Sequence, residues 1–184
     1  MSARREELLE RAYGYALRHG LASMSLRPLA EAIGSSPRVL LFLFGSKDDL
    51  VRALLARART DELTVLDSAP SGELSAVGGR VWEWLAAPER RGLLTLWVEA
   101  YARSLVEPDG PWGGFAARTV DDWLDLLAAA QSPDHRRSPA GAAERTAVLA
   151  VLRGAMLDVL ATGDVARTTA AVRAHLQSVG KPNG

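Results

Sequence analysis

Residues 26–50 read LRPLAEAIGSSPRVLLFLFGSKDDL, and this stretch decides the fold. Leu29 and Ile33 stand four apart on one segment, and Leu40 and Leu43 three apart on the next, so each presents an inward apolar face at helical spacing. Ala30 is the small residue at which two steeply crossing helices can touch. Four positions on, Gly34 supplies a sharp turn that calls for a positive φ. Ser36-Pro37 is an N-cap followed by proline at the first helical position. Gly45-Ser46 breaks the chain again, and Ser46, with Asp48 and Asp49 in the next turn, opens another helix. This is the spacing of a helix-turn-helix that docks on DNA.

Outward from this stretch, almost every segment reads as helix. Leu8, Leu9, Ala12, Tyr13, Ala16 and Leu17 recur at helical spacing, and His19-Gly20 ends that helix. Ser25 is placed to cap a second helix over 26–33. A short third reaches residue 44, and a long fourth covers 46–66. Further helices are predicted over 73–86, 89–106, 113–131, 142–162 and 165–179. Residues 67–72 read as a loop, and 107–111 and 132–141 as breaks, the latter polar with two prolines. No alternating β-branched run suggests a strand. The predicted fold class is all-α. A three-helix DNA-binding domain over 1–46 is expected to hold the helix-turn-helix, and a helical domain expected to serve ligand binding and dimerisation spans 47–179. Residues 180–184 form a disordered tail.

Composition narrows the function. Hydrophobic content of 48% and charged content of 24% describe a globular chain, not a disordered one. Net charge is zero, and residues 1–52 hold eight Lys and Arg against six Asp and Glu, so any DNA contact must come from the placement of charges. There is no cysteine, which removes disulfide, thiolate and cysteine-metal chemistry. The opening residues lack a signal-peptide layout, and no apolar run approaches the ~20 residues of a membrane span. A cytoplasmic protein with no membrane partner is expected. The three histidines, His19, His135 and His175, lie in separate regions, and none has a ligand or catalytic partner at a useful spacing. Asp121-Asp122 reads as a solvated face, and Gly78-Gly79 and Gly113-Gly114 follow no strand, so neither is a phosphate loop. An enzyme is not expected, nor a cofactor.

The run from Leu8 to Leu55 resembles the N-terminal domain of the tetracycline-repressor (TetR) family of transcriptional regulators. The opening helix, the segment from Ser25 to Gly34 and above all the junction Phe44-Gly-Ser-Lys-Asp-Asp-Leu50 carry the likeness. It covers about a quarter of the chain. The resemblance implies a dimeric, ligand-responsive regulator, a repressor by expectation, on a palindromic double-stranded DNA operator.

Each position then has a physical role. Lys47, in the first turn of the fourth helix, adds charge where free N–H groups already favour a phosphate. Ser25 and Arg27, at the mouth of the second helix, are placed for the DNA backbone, as is Ser36 ahead of the third. Arg4 and Arg5 could reach phosphate from a mobile arm, or be solvated tail charges. Base reading falls to the third helix, with Arg38 for guanine and Val39 and Phe42 for thymine methyls. Leu40, Leu43 and Phe44 are predicted core. Here the chain departs from the family. Where two tyrosines and often a histidine are usual, it has Leu41, Leu43 and Phe42, so the phosphate-binding hydroxyls are missing. This opens an alternative, a small-molecule-binding protein of the same fold with weakened or lost sequence-specific DNA binding. A helical interaction module unrelated to DNA is a further alternative.

Two expectations concern the remainder. The helix 142–162 is apolar on more than one face, and Val165, Thr169, Val172, Leu176 and Val179 form a heptad-like seam, so these two helices are predicted to build a four-helix homodimer interface. All five tryptophans lie between residues 82 and 123, joined by Tyr101 and Phe115. A pocket for a small apolar or aromatic ligand is predicted around Trp84, Trp97, Tyr101, Val120, Trp123 and Met156. These rings could instead only fill the core.

Overall fold

The computed structural model describes residues 3–21, 24–68 and 73–179. The predicted tail and most of the predicted loop over 67–72 lie outside them. Among the described residues every regular element is helical: α1 (Ala3–His19), α2 (Leu26–Ala32), α3 (Pro37–Phe44), α4 (Lys47–Ser68), α5 (Leu74–Ala86), α6 (Arg91–Val106), α7 (Phe115–Ala129), α8 (Pro133–Arg137), α9 (Pro139–Thr162) and α10 (Val165–Leu176), with a 3-10 turn at Pro88–Arg90. None of them is long and apolar enough to cross a membrane.

The chain forms two compact units. The first comprises residues 1–63 and 92–118, the second 64–91 and 119–184. In the first, Leu8, Leu29, Ala30, Leu40, Leu50 and Leu54 are fully buried, so α1 to α4 share one core. Two ties reinforce it. The Tyr13 hydroxyl donates to Asp61 at 2.8 Å, and Arg57 lies over the Tyr13 ring while pairing with Glu10 at 2.6 Å. Residues 92–118 belong to this unit through contacts with α1. Gly92 stands where a side-chain carbon would come within 2.6 Å of the Leu17 carbonyl oxygen, so only glycine lets the two backbones meet. The Glu99 carboxylate accepts from the Leu21 amide at 2.7 Å, just past the end of α1.

In the second unit α5, α9 and α10 pack together. Val148, Leu152, Val172 and Leu176 are buried, and a Leu176 methyl lies against Gly78. The Trp82 indole N–H donates to the Thr169 hydroxyl at 2.9 Å. This corrects the seam read from the sequence. Val172 and Leu176 are consumed inside the chain, where α5 covers them. The large apolar residues that α9 and α10 leave exposed are Leu157 and Val165.

The stretch 132–141 is also corrected. It is not a simple break but holds α8 and the first turn of α9. Ser132 accepts from the His135 amide and Ser138 from the Gly141 amide, each followed by proline at the first helical position. The corner between them needs Gly141, where a side-chain carbon would sit 1.9 Å from the His135 carbonyl oxygen.

Candidate nucleic-acid interface

The candidate interface is built from α1 to α3 and the start of α4. Gly34, at φ 68°, turns the chain between α2 and α3, and Gly45, at φ 91°, turns it between α3 and α4. Both are left-handed conformations that a side chain would strain. Arg11 donates to the Ile33 carbonyl at 3.3 Å, holding the end of α2 beside α1. Ser36 caps α3 by accepting from the Val39 amide at 3.3 Å. Ser46 caps α4 by accepting from the Asp49 amide at 3.0 Å, while its hydroxyl donates to the Asp49 carboxylate at 2.6 Å. That hydroxyl, and after it Arg52, hold the Asp49 carboxyl below its ordinary pKa.

Between these turns α3 divides sharply. Leu40 and Phe44 face the core at 1% and 7% exposure. On the other side Val39 is 37%, Leu41 41% and Phe42 86% exposed, with Arg38 beside them, also exposed. Ser25, Arg27 and Lys47 are exposed as well. The helix thus offers solvent one cation and an apolar surface, flanked by cations at the mouths of α2 and α4.

Three expectations change here. Ser25 has the extended backbone of an N-cap but makes no side-chain cap bond. Leu43 is half-buried, not core. Arg4 and Arg5 do not lie on an arm, because α1 already begins at Ala3. Arg4 pairs with Glu7 at 2.8 Å. Arg5 packs over the Phe44 ring, 4.8 Å from its centroid, and donates to the Leu43 carbonyl at 3.3 Å. Sequence reasoning gave Arg5 no structural role, since only the folded chain brings α1 against the end of α3.

No protein-family model matches the sequence. No curated protein matches it either. Solved structures do. A transcriptional regulator from Rhodococcus sp. superposes with a TM-score of 0.80 over 95% of each chain, at 17% identity. A TetR transcription regulator from Haloarcula marismortui gives 0.77 over 97% of each chain, at 15% identity. The chain has the fold of TetR-family transcriptional regulators. The multidrug binding protein EbrR, in complex with proflavin, is similar at a TM-score of 0.61 and 24% identity, over 94% of this chain and 99% of its own.

Within the TetR fold, the residues predicted for a ligand fall in both compact units. Trp97 and Tyr101 belong to the first. They sit one turn apart on α6, both half-buried, with ring centroids 5.0 Å apart and planes tilted by 31°. Trp84, Val120, Trp123 and Met156 belong to the second. Trp123 and Met156 are buried at 5% and 3% exposure, and Val120 is half-buried. Trp84 carries the Arg90 guanidinium over its ring at 5.2 Å, and its indole N–H is buried with no partner. A buried donor left unsatisfied is costly unless something else fills its lone site.

Proposed function

We propose that this chain is a dimeric DNA-binding transcriptional regulator, acting as a repressor, whose α3 reads an operator and whose body binds a small aromatic or apolar ligand. The observation that carries the DNA reading is the outward face of α3. A helix in a fixed turn-helix-turn frame exposes Arg38, Val39 and an almost fully exposed Phe42, which a soluble protein keeps in water only at a cost. Arg38 suits guanine, and the apolar pair suits thymine methyls. Arg27, Ser25, Ser36 and Lys47 would hold the phosphates, so the proposed reader over 1–46 would be joined in its contacts by the first residue of the body over 47–179.

The test is a titration of labelled duplexes from the upstream region of the chain's own gene. A palindrome with half-sites about one helical turn apart, ~34–36 Å, should bind with a strong salt dependence. Arg38→Ala should lose roughly 1–3 kcal/mol at one base position, and Lys47→Ala should weaken all duplexes alike and lower the salt slope by about one. Equal affinity for palindrome and scrambled duplex would defeat this reading. It would favour the second one, a ligand-binding protein of this fold without sequence-specific DNA recognition. The exposed Leu41 and Phe42, and the tyrosine hydroxyls absent from α3, are what keep that second reading in play.

The ligand reading is supported by the unpartnered Trp84 donor and by the aromatic guest of the similar EbrR. Proflavin is therefore the first probe, read by quenching of tryptophan fluorescence. Quenching that does not saturate, or that survives Trp84→Phe and Trp123→Leu unchanged, would remove the pocket. Ligand and DNA would be linked through states of different affinity, and a hundredfold relief of repression needs about 2.7 kcal/mol of difference between them.

The dimer reading rests on α9 and α10. Ala147, Ala150, Gly154, Leu157 and Ala161 recur at intervals of three and four along α9 and are all exposed, as are Ala166 and Ala170 on α10. A stripe of small residues lets two helices approach closely, and this face replaces the Val172 seam as the proposed twofold contact.

A further inference from the structure

The first unit contains a second concave site. A cleft of about 360 Å³ opens beside α4 and is closed on its far side by the segment from Gly110 to Arg118. Arg52 and Arg59 stand on its α4 wall, two turns apart, or about 10.5 Å along the helix axis. Arg118 stands on the opposite wall, and Leu55, Ala56, Pro111 and Phe115 are among the other lining residues. None of the described lining residues is acidic. Asp49, which pairs with Arg52 at 2.8 Å, lies outside the lining.

The far wall is held by hydrogen bonds of its own. Successive turns connect Gly110 to Glu107, Gly113 to Gly110 and Phe115 to Trp112, each at 3.0 Å. The buried Ser104 hydroxyl accepts from the Ala116 amide at 3.1 Å. Arg118 donates to the Gly113 carbonyl at 3.1 Å, which engages one of its five N–H groups and fixes the guanidinium at the rim. Guanidinium groups bind carboxylates and phosphates through paired N–H donors, and one that is already paired, as Arg52 is with Asp49, keeps further N–H groups to offer.

We propose that this cleft binds a small organic dianion, with its charged ends on the arginines of the two walls and its apolar middle against Leu55 and Phe115. The site lies wholly within one compact unit. It is separate from the aromatic residues assigned above, and it does not depend on the chain binding DNA. An occupant would grip α4, the helix that begins at Lys47, so it would act on the reader wherever the reader acts.

The experiment is calorimetric titration of the full chain with benzene-1,4-dicarboxylate and, in parallel, inorganic phosphate. The dicarboxylate should bind saturably at one site per chain, and phosphate at least about tenfold more weakly, because it cannot reach both walls or use the apolar lining. Arg118→Gln should weaken the dicarboxylate about tenfold or more. Ala56→Phe, at an exposed lining position, should abolish binding without altering charge. Unchanged helical circular dichroism keeps either loss from being a folding defect. Absent saturation at millimolar concentration, equal affinity for phosphate, or full affinity in Ala56→Phe would each overturn the proposal.

Discussion

Phe42 shows what a single residue can report. At 86% exposure its ring contributes nothing to the core, so Phe42→Ala should leave the unfolding free energy measured in urea within about 0.5 kcal/mol of the parent. If α3 reads thymine methyls, the same change should relax preference at one base step of the selected operator, measured by competition with duplexes altered at that step. Tyr13 argues in the opposite direction. Burial first, and then the hydrogen bond to Asp61, hold its hydroxyl well above the ordinary tyrosine pKa. The unfolded chain releases this proton near pH 10, whereas the native one retains it, so the native state binds more protons above that pH (about 10). The stabilisation is complete below that value and declines as pH rises towards the raised native value. Urea midpoints taken from about pH 8 to about pH 11 should fall, and Tyr13→Phe should remove part of that fall. The residues carrying this were only partly legible. Tyr13 was visible as a core position of α1, but its partner Asp61 stands 48 positions away, and no spacing rule connects them.

At the scale of elements, local chemistry was the readable part. Gly34, Gly45, Ser36-Pro37 and Ser46 each act on the next few residues, and each does in the structure what its position implies. The same local signal recurs further along, where a polar setting disguises it. Ser132-Pro133 and Ser138-Pro139 are the same signal as Ser36-Pro37, yet in a polar stretch the prolines suggest a break. Both serines accept a backbone amide and both prolines lie inside a helix. Ser138→Ala should therefore destabilise the second unit by about 1 kcal/mol, seen as a shift in thermal midpoint that Ser138→Asp largely restores. The α10 seam failed for a different reason. An apolar stripe says that a face is covered, not by what, and α5 of the same chain covers Val172 and Leu176. The ligand residues were legible only as a concentration of aromatic rings. Which of those rings border a space depends on packing that no periodicity encodes.

At the scale of the molecule, the exposed stripe of α9 gives the proposed dimer a direct test. Nothing lies within 4 Å of a side-chain carbon placed at Gly154, so Gly154→Arg should fold as well as the parent. Sedimentation at micromolar concentration should show the parent as a dimer and the variant as a monomer. A dimeric Gly154→Arg would move the interface elsewhere. The course of the chain has another consequence. It leaves the first compact unit after residue 63, returns at 92 and leaves again after 118. The helix-turn-helix is therefore not a detachable cassette. A hybrid that grafted residues 1–63 onto a foreign body would take Leu17 and Leu21 away from Gly92 and Glu99, stripping α1 of the glycine that lies against its backbone and of the carboxylate that holds the amide beyond its end. Exchange of specificity between such proteins would have to carry residues 92–118 along with the helices proposed to touch DNA, or else be confined to the exposed positions of α3.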